Sequence, residues 1–107
     1  MHGMQEDKNM TINKTKNGNE VIIALEGRLD TATSPMLEAE LKDVLQEADS
    51  LVFDFAKLEY ISSAGLRVLL SSHKAMLAKG GMKVTNINDI VREVFEITGF
   101  ADILTIE

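Results

Sequence analysis

The chain has 107 residues, a formal net charge of −6 from 17 acidic and 11 basic residues, and no cysteine. This length suits one domain with one core, and the lack of cysteine excludes disulfides, thiolate metal sites and a cysteine nucleophile. The acidic balance and the absence of a dense Lys/Arg cluster argue against a nucleic-acid partner, because neutralised phosphates supply most of the affinity for nucleic acids.

The chain begins with a polar segment. Residues 1–8 are predicted to form a disordered tail ahead of a folded domain at residues 9–107. The tail lacks the apolar core of a secretory signal, and no apolar run approaches the roughly 20 residues of a membrane span. We therefore expect a cytoplasmic protein without a membrane partner. A monomer is the expected oligomeric state, although no feature of the sequence fixes it. Met10–Lys16 and Glu20–Glu26 are predicted strands, joined across Asn17-Gly18, which tolerates the positive φ of a tight hairpin turn.

Helices and strands alternate after this hairpin. Ser34 is predicted to cap a helix that has Pro35 in its first turn and runs to about Ala48. Leu51–Phe55 is the next predicted strand, and Asp54 within it is expected to point outward rather than to act as a catalytic acid.

The second predicted helix is apolar and starts at a pair of serines. It should end at Gly80-Gly81, because glycine readily adopts the left-handed conformation that follows a helix. A third helix is predicted from Asp89 to about Thr98, with Asn88 as its cap and Gly99 as its stop. The apolar residues expected on these two helices are Leu66, Leu69, Leu70 and Leu77, then Ile90, Val91, Val94, Phe95 and Ile97. Strands are predicted at Met82–Ile87 and Ile103–Ile106.

The resulting order, β-β-α-β-α-β-α-β, predicts a small α/β domain. Helices between strands imply crossover connections, and therefore a mixed, mostly parallel sheet that starts with an antiparallel hairpin. In such sheets the loops at one end usually carry the function.

The serine pair Ser62-Ser63 is the main functional candidate. Ser63 should lie at or beside the N-cap of the second helix, where a hydroxyl can accept a hydrogen bond from an unpaired backbone N–H. A phosphate on the same residue would face several N–H groups and the positive end of the helix dipole. Local physics therefore allows two interpretations, a simple cap and a modification site.

The residues needed for catalysis are missing around this serine. The G-x-S-x-G elbow of hydrolases does not occur, and His73 would lie about 15 Å along the same helix, too far to serve as a base. Neither of the two familiar nucleotide-binding glycine loops is present. Carboxylates such as Asp30 and Asp54 show no metal-binding spacing. We expect no enzyme activity, no metal and no cofactor.

Three segments carry a resemblance to a known family. They are LEGRLDTATSPMLEAEL, LVFDFAKLEYISSAGLRVLLSSHK and MKVTNINDIVREVFEITGFADIL, and together they resemble the STAS family, in particular the bacterial anti-sigma factor antagonists. The resemblance covers about residues 10–107. Its strongest motif is a strand followed by the serine pair and then by Gly-Leu. The G-x-L-D sequence at Gly27–Asp30 and the T-G-F sequence at Thr98–Phe100 give additional support.

The resemblance implies a non-enzymatic partner switch. The unphosphorylated protein would bind an anti-sigma factor that is itself a serine kinase, and would thereby release a sigma factor. The kinase would phosphorylate one serine and break the complex, and a serine phosphatase would restore it. Alignment on Gly65-Leu66 assigns that serine to Ser63, with Ser62 as the second choice. The implied partner-binding residues are Asp30, Thr31, Ser62, Ser63, Ala64, Gly65 and Arg67.

Two positions depart from the family pattern. Ser62 replaces a frequent aspartate, and Ala64 replaces a frequent serine or threonine. Both departures retain the acceptor hydroxyl, although Ser62 adds a competing one. A second interpretation from the same resemblance is a STAS scaffold or sensor that binds a nucleotide, lipid or anion.

Overall fold

The computed structural model describes the backbone of residues 2–6 and 9–107 and the side chains of residues 9–107. The described chain forms one sheet with the strand order β1-β2-β3-β4-β5-β6. Strands β1 to β3 are antiparallel neighbours, and β3 to β6 are parallel, which confirms the predicted α/β class and its mostly parallel sheet. The elements are β1 (His2–Glu6), β2 (Met10–Asn17), β3 (Glu20–Leu29), α1 (Ser34–Glu47), β4 (Ser50–Ile61), α2 (Ser63–Met76), β5 (Met82–Thr85), α3 (Asp89–Thr98), a 3-10 turn (Phe100–Asp102) and β6 (Thr105–Ile106).

The first strand is an addition to the predicted fold. His2–Glu6, which were expected to belong to a disordered tail, instead pair antiparallel with β2, with His2 opposite Thr15. The outer side of β2 would otherwise be an unpaired edge, and a further strand satisfies its N–H and C=O groups. Met1, Asp7 and Lys8, the other residues of the predicted tail, lie outside the described residues.

All three helices cover one face of the sheet. Strands β3 to β6 lie side by side in chain order, and right-handed crossovers between such strands place every connecting helix on the same side. The buried side chains of β3 alternate: Val21, Ile23 and Leu25 belong to one core cluster that also includes residues from each helix. Val52 projects from the opposite face and lies outside that cluster.

The start of α1 differs from the prediction by one residue. Thr33, not Ser34, occupies the N-cap position, and Pro35 lies in the first turn as expected. The Thr33 hydroxyl donates a hydrogen bond to the Arg28 carbonyl oxygen at 2.7 Å and accepts one from the Asp30 N–H at 2.9 Å, so contacts within the preceding loop fix where the helix begins. Ser34 is instead the first helical residue and is 4% exposed. The prediction of Ser34 as the cap was therefore wrong.

Helix α2 ends earlier than its glycine pair suggested. Its last residue is Met76, and turn residues lead from there to Gly81. The Gly80 N–H donates to the Asp49 carbonyl oxygen at 2.6 Å, and this contact diverts the chain toward the connection between α1 and β4. As a result, Leu77 is 66% exposed and is not part of the apolar helix face, contrary to the prediction.

Helix α3 begins at the predicted cap but buries fewer residues than expected. The Asn88 Oδ1 accepts a hydrogen bond from the Val91 N–H at 2.8 Å. Val91 and Phe95 are fully buried, whereas Ile90 and Ile97 are 60% and 77% exposed. Ten residues give this helix only a narrow contact with the sheet, so its flanking isoleucines face solvent.

Candidate functional site

The carboxyl ends of β3 and β4 lie side by side and support both segments that the sequence singled out. Leu29 is paired with Ile61 at the end of the parallel ladder. One step further, the Ser62 N–H donates a hydrogen bond to the Leu29 carbonyl oxygen at 2.9 Å. This bond joins the start of the β3–α1 loop, where Asp30 follows Leu29, to the start of α2.

The two serines at the start of α2 have different environments. Ser62 is the N-cap, with extended backbone, and its Oγ accepts a long hydrogen bond from the Gly65 N–H at 3.4 Å. Ser63 is the first helical residue and is exposed, and its Oγ makes no hydrogen bond with any described residue. Within the described chain, the N–H groups of Ser63 and Ala64 also lack partners, as expected for the first turn of a helix. Ser62 is therefore engaged as the cap, and Ser63 has a free hydroxyl.

Gly65 brings the first turn of α2 close to the strand ends. It is buried, and a Cβ at this position would lie 2.8 Å from Leu29 Cγ and 2.9 Å from Ile61 Cγ1. Real Cβ atoms do not approach other carbons so closely, so a glycine is needed for this packing. The resemblance included Gly65 among the partner-binding residues. In the structure it is buried, and its packing against Leu29 and Ile61 holds the first turn of α2, and with it Ser63, against the strand ends.

Asp30 is held by its own loop. Its Oδ1 accepts hydrogen bonds from the N–H groups of Ala32 and Thr33, both at 3.0 Å, and its Oδ2 lies 3.7 Å from Arg28 Nε. The Thr33 N–H hydrogen bond is the largest cause that holds the pKa of the Asp30 carboxyl below its usual value near 3.8. The carboxylate is consequently ionised at neutral pH and shapes the β3–α1 loop beside α2.

Arg28 and Tyr60 lie near the carboxyl ends of β3 and β4, beside the two functional segments. The sequence analysis did not identify either residue as part of the site. They are neighbours in the register of β3 and β4, and the guanidinium carbon lies 4.3 Å from the ring centroid. A cation over an aromatic face is attracted by the ring quadrupole. The sequence held one indication of this pair: Arg28 is two residues before Asp30, and Tyr60 is two residues before Ser62, so the two residues hold matching positions before the two functional segments.

A groove between α1 and α2 leads away from this edge. Thr31, Ala64 and Arg67 line a surface cavity of about 350 Å³ together with Ser34, Pro35, Glu38, Val68 and Ser71. A second cavity of about 320 Å³ shares Pro35, Glu38, Val68 and Ser71 and continues along α1 to Leu45. The two form one continuous cleft, which we call the α1–α2 groove. Three of the predicted partner-binding residues therefore lie at its mouth.

The other polar candidates lie elsewhere. Asp54 belongs to the open face of the sheet, where its Oδ1 accepts hydrogen bonds from Ala56 N–H and Asn86 Nδ2. In the described part of the chain, no three His, Cys, Asp or Glu side chains are grouped as a metal site would require. None of the helices at residues 9–107 is long and apolar enough to cross a membrane.

Comparison with known proteins identifies the family. Residues 11–107 match the sequence profile of the STAS domain. The chain belongs to the STAS family. A Bordetella bronchiseptica protein, BtrV, which bears a provisional name as an anti-sigma factor antagonist, is 39% identical over 88 residues, covering 80% of this chain and 76% of its own length.

Solved structures of anti-sigma factor antagonists share the fold. A crystal structure of an anti-sigma factor antagonist from Mycobacterium paratuberculosis superposes with a TM-score of 0.83 at 21% identity, covering 91% of this chain and 84% of that one. The Bacillus antagonist SpoIIAA in its unphosphorylated form gives a TM-score of 0.75 at 18% identity, covering 100% of this chain and 88% of its own. SpoIIAA has also been solved in a phosphorylated form.

Proposed function

We propose that this STAS protein is an anti-sigma factor antagonist controlled by phosphorylation of Ser63. Unphosphorylated, it binds an anti-sigma factor that is a serine kinase, and a sigma factor is released. Phosphorylation of Ser63 by that kinase ends the complex, and a serine phosphatase restores it. The STAS protein catalyses none of these steps and acts in the cytoplasm, where the kinase finds ATP.

One observation supports this proposal most strongly: the free hydroxyl of Ser63 at the first position of α2. The hydroxyl is exposed and unbonded among the described residues, whereas the neighbouring Ser62 hydroxyl serves as the cap. In the transfer, the γ-phosphorus of ATP forms a bond to Ser63 Oγ, the bond to ADP breaks, and the serine proton passes to a base of the kinase. A solvent-facing hydroxyl that makes no internal hydrogen bond is available for this reaction without any unfolding.

The helix start also explains how the protein would tolerate the modification. Phosphorylation adds about −1.5 to −2 charges, and the unpaired N–H groups of Ser63 and Ala64 with the positive end of the α2 dipole can accept part of this charge. We therefore expect the fold to stay unchanged.

The effect on binding should be much larger than the effect on folding. At a protein interface the same charge must be desolvated and faces the partner's groups, and the ionised Asp30 at the adjoining strand end adds a like charge. A loss of about 3 kcal/mol weakens a complex by more than roughly 100-fold. The switch would thus act on the surface and leave the core unaffected.

The relatives support this proposal by name. The Bordetella protein is named provisionally as an anti-sigma factor antagonist, and it is similar over most of both chains. The phosphorylated form of SpoIIAA indicates that a protein of this fold is modified.

Binding assays with charge variants test the proposal. Ser63→Ala should bind the cognate anti-sigma kinase as the wild type does and keep the complex in the presence of ATP. Ser63→Asp should fold normally and bind at least about 10-fold more weakly, because even a single charge must be desolvated. Ala75→Asp, on the same helix at an exposed position, is the matched control and should bind normally. Unimpaired binding of Ser63→Asp would contradict the proposal.

A further inference from the structure

We propose that the α1–α2 groove receives an apolar, carboxylate-bearing segment of the anti-sigma kinase, and that Arg67 binds its carboxylate. When Ser63 is phosphorylated, the phosphate binds Arg67 in place of the partner's carboxylate. This inference rests on the proposed function. It adds a second contact region and a residue that couples that region to the switch.

The groove is lined by apolar residues together with charged ones: Glu38 lines both cavities, and Lys42 and Arg67 each line one. Pro35 and Val68 contribute to both cavities, and Leu41 and Leu45 continue the apolar lining along α1. Ligand clefts are mostly apolar with a few polar groups that fix orientation. An apolar side chain from the partner would occupy this part of the groove.

Two charged residues, Glu38 and Arg67, line the cavity at the mouth of the groove, and Arg67 is the one that can bind an acidic group of a partner. Arg67 is exposed, lines the cavity beside Thr31 and Ala64, and forms no ion pair with any described residue. A guanidinium can bind a carboxylate through two parallel hydrogen bonds. In a protein of net charge −6, this arginine is a local positive site next to the predicted switch.

The spacing on α2 couples Arg67 to the switch. Ser63 and Arg67 are four residues apart and both are exposed, and side chains at i and i+4 are neighbours on a helix surface. A phosphate on Ser63 would therefore lie within reach of the guanidinium and form charge-assisted hydrogen bonds. The arginine cannot hold the partner's carboxylate at full strength while it holds the phosphate. Phosphorylation would thus weaken the groove contact as well as the contact at Ser63 itself.

The first experiment measures binding of the cognate anti-sigma kinase, without ATP, by calorimetric titration. Arg67→Gln should bind about 10-fold more weakly, and Ala39→Phe, which fills the groove from an exposed position on α1, should lose at least as much. The matched controls are Lys74→Gln and Ala75→Phe, exposed α2 residues that line neither cavity. Both should bind within about 2-fold of the wild type.

The second experiment needs no partner. With phosphoserine incorporated genetically at position 63, a phosphorus NMR titration reports the second pKa of the phosphate. Arg67→Gln should raise that pKa by about 0.2–0.4 units, which corresponds to the free energy of an i,i+4 ion pair, and Lys74→Gln should not change it. Identical titrations of the wild-type and Arg67→Gln phosphoproteins would overturn the coupling.

The outcomes separate this inference from the proposed function. If the wild type binds no anti-sigma kinase, the proposed function fails and the occupant assigned to the groove fails with it. If the wild type binds the kinase, and both Arg67→Gln and Ala39→Phe bind it as tightly as the wild type does, only the groove proposal is overturned.

Discussion

The Ser62 N–H donates a hydrogen bond to the Leu29 carbonyl oxygen at 2.9 Å, and this bond joins two segments that are more than 30 residues apart in the chain. It extends the pairing of β3 with β4 by one step beyond the end of β4. The loop that carries Asp30 and the helix that begins with Ser63 are therefore parts of one rigid edge. The first three of the following predictions each test one element of this edge or of its support, and the fourth tests the far end of α1.

Ser62 and Ser63 should differ in their contributions to stability. Ser62→Ala removes the N-cap and should lower the free energy of unfolding by about 0.5–1 kcal/mol, toward the low end because its hydrogen bond to Gly65 is long. Ser63→Ala removes an exposed, unbonded hydroxyl and should stay within about 0.5 kcal/mol of the wild type. Urea unfolding measures both, with Ser62→Asp as the control that keeps a cap. Equal losses would show that both serines are structural.

Gly65→Ala should destabilise the domain although alanine is the better helix former. The added Cβ would lie 2.8–3.0 Å from Leu29 and Ile61 side-chain atoms. Overpacking of this kind costs about 1–3 kcal/mol, against a gain of about 1 kcal/mol in helix propensity. We expect a net loss of about 1 kcal/mol in urea unfolding. Ala75→Gly, at an exposed position of the same helix, calibrates the propensity term alone. A stabilised Gly65→Ala variant would refute the close packing.

Asp30 should make the stability of the domain dependent on pH. Its folded-state pKa is lowered, so its contribution is present above the usual value near 3.8 and is lost as the pH falls through the folded-state pKa. Asp30→Asn should be less stable than the wild type at pH 7, and the two should converge in strong acid. Urea unfolding at pH 7, 5 and 3 measures the difference, with the exposed Asp43→Asn as a control at pH 7. A constant gap at all three values would contradict this role.

Lys79 should stabilise the end of α1 from the opposite side of the domain. Its Nζ donates hydrogen bonds to the carbonyl oxygens of Leu45, Gln46 and Ala48 at 2.6, 3.3 and 3.1 Å. Terminal carbonyls of a helix are favourable acceptors for a cation. Lys79→Met should lower the melting temperature and cost about 1 kcal/mol. Lys74→Met, an exposed cation on α2, should have no comparable effect.

The sequence predicted the placement of the serine pair, since a strand, a serine pair and an apolar helix have recognisable local signals. Asn88 and Gly99 likewise mark the ends of α3 as predicted. These features depend on short-range patterns of capping, turn chemistry and periodicity, which residues close in sequence determine.

The errors occurred where contacts outside the simple capping and periodicity patterns decide the structure. Two adjacent hydroxyl residues, Thr33 and Ser34, could each cap α1, and Thr33 takes the N-cap position while its side chain is hydrogen-bonded to Arg28 and Asp30 within the preceding loop. Strand β4 continues to Ile61, well past the predicted end at Phe55, because β3 provides backbone partners along its length. The α1–α2 groove also depends on packing between two helices, which periodicity within each helix does not specify.

The most direct test of the account is to incubate the protein with candidate anti-sigma kinases from its own genome and ATP, and to locate any phosphate by mass spectrometry. We predict stoichiometric phosphate on Ser63, absent from Ser63→Ala. Phosphate on Ser62 instead would contradict the assignment of the free hydroxyl as the acceptor. No phosphate from any kinase that phosphorylates its own established substrate would contradict the phosphorylation switch itself.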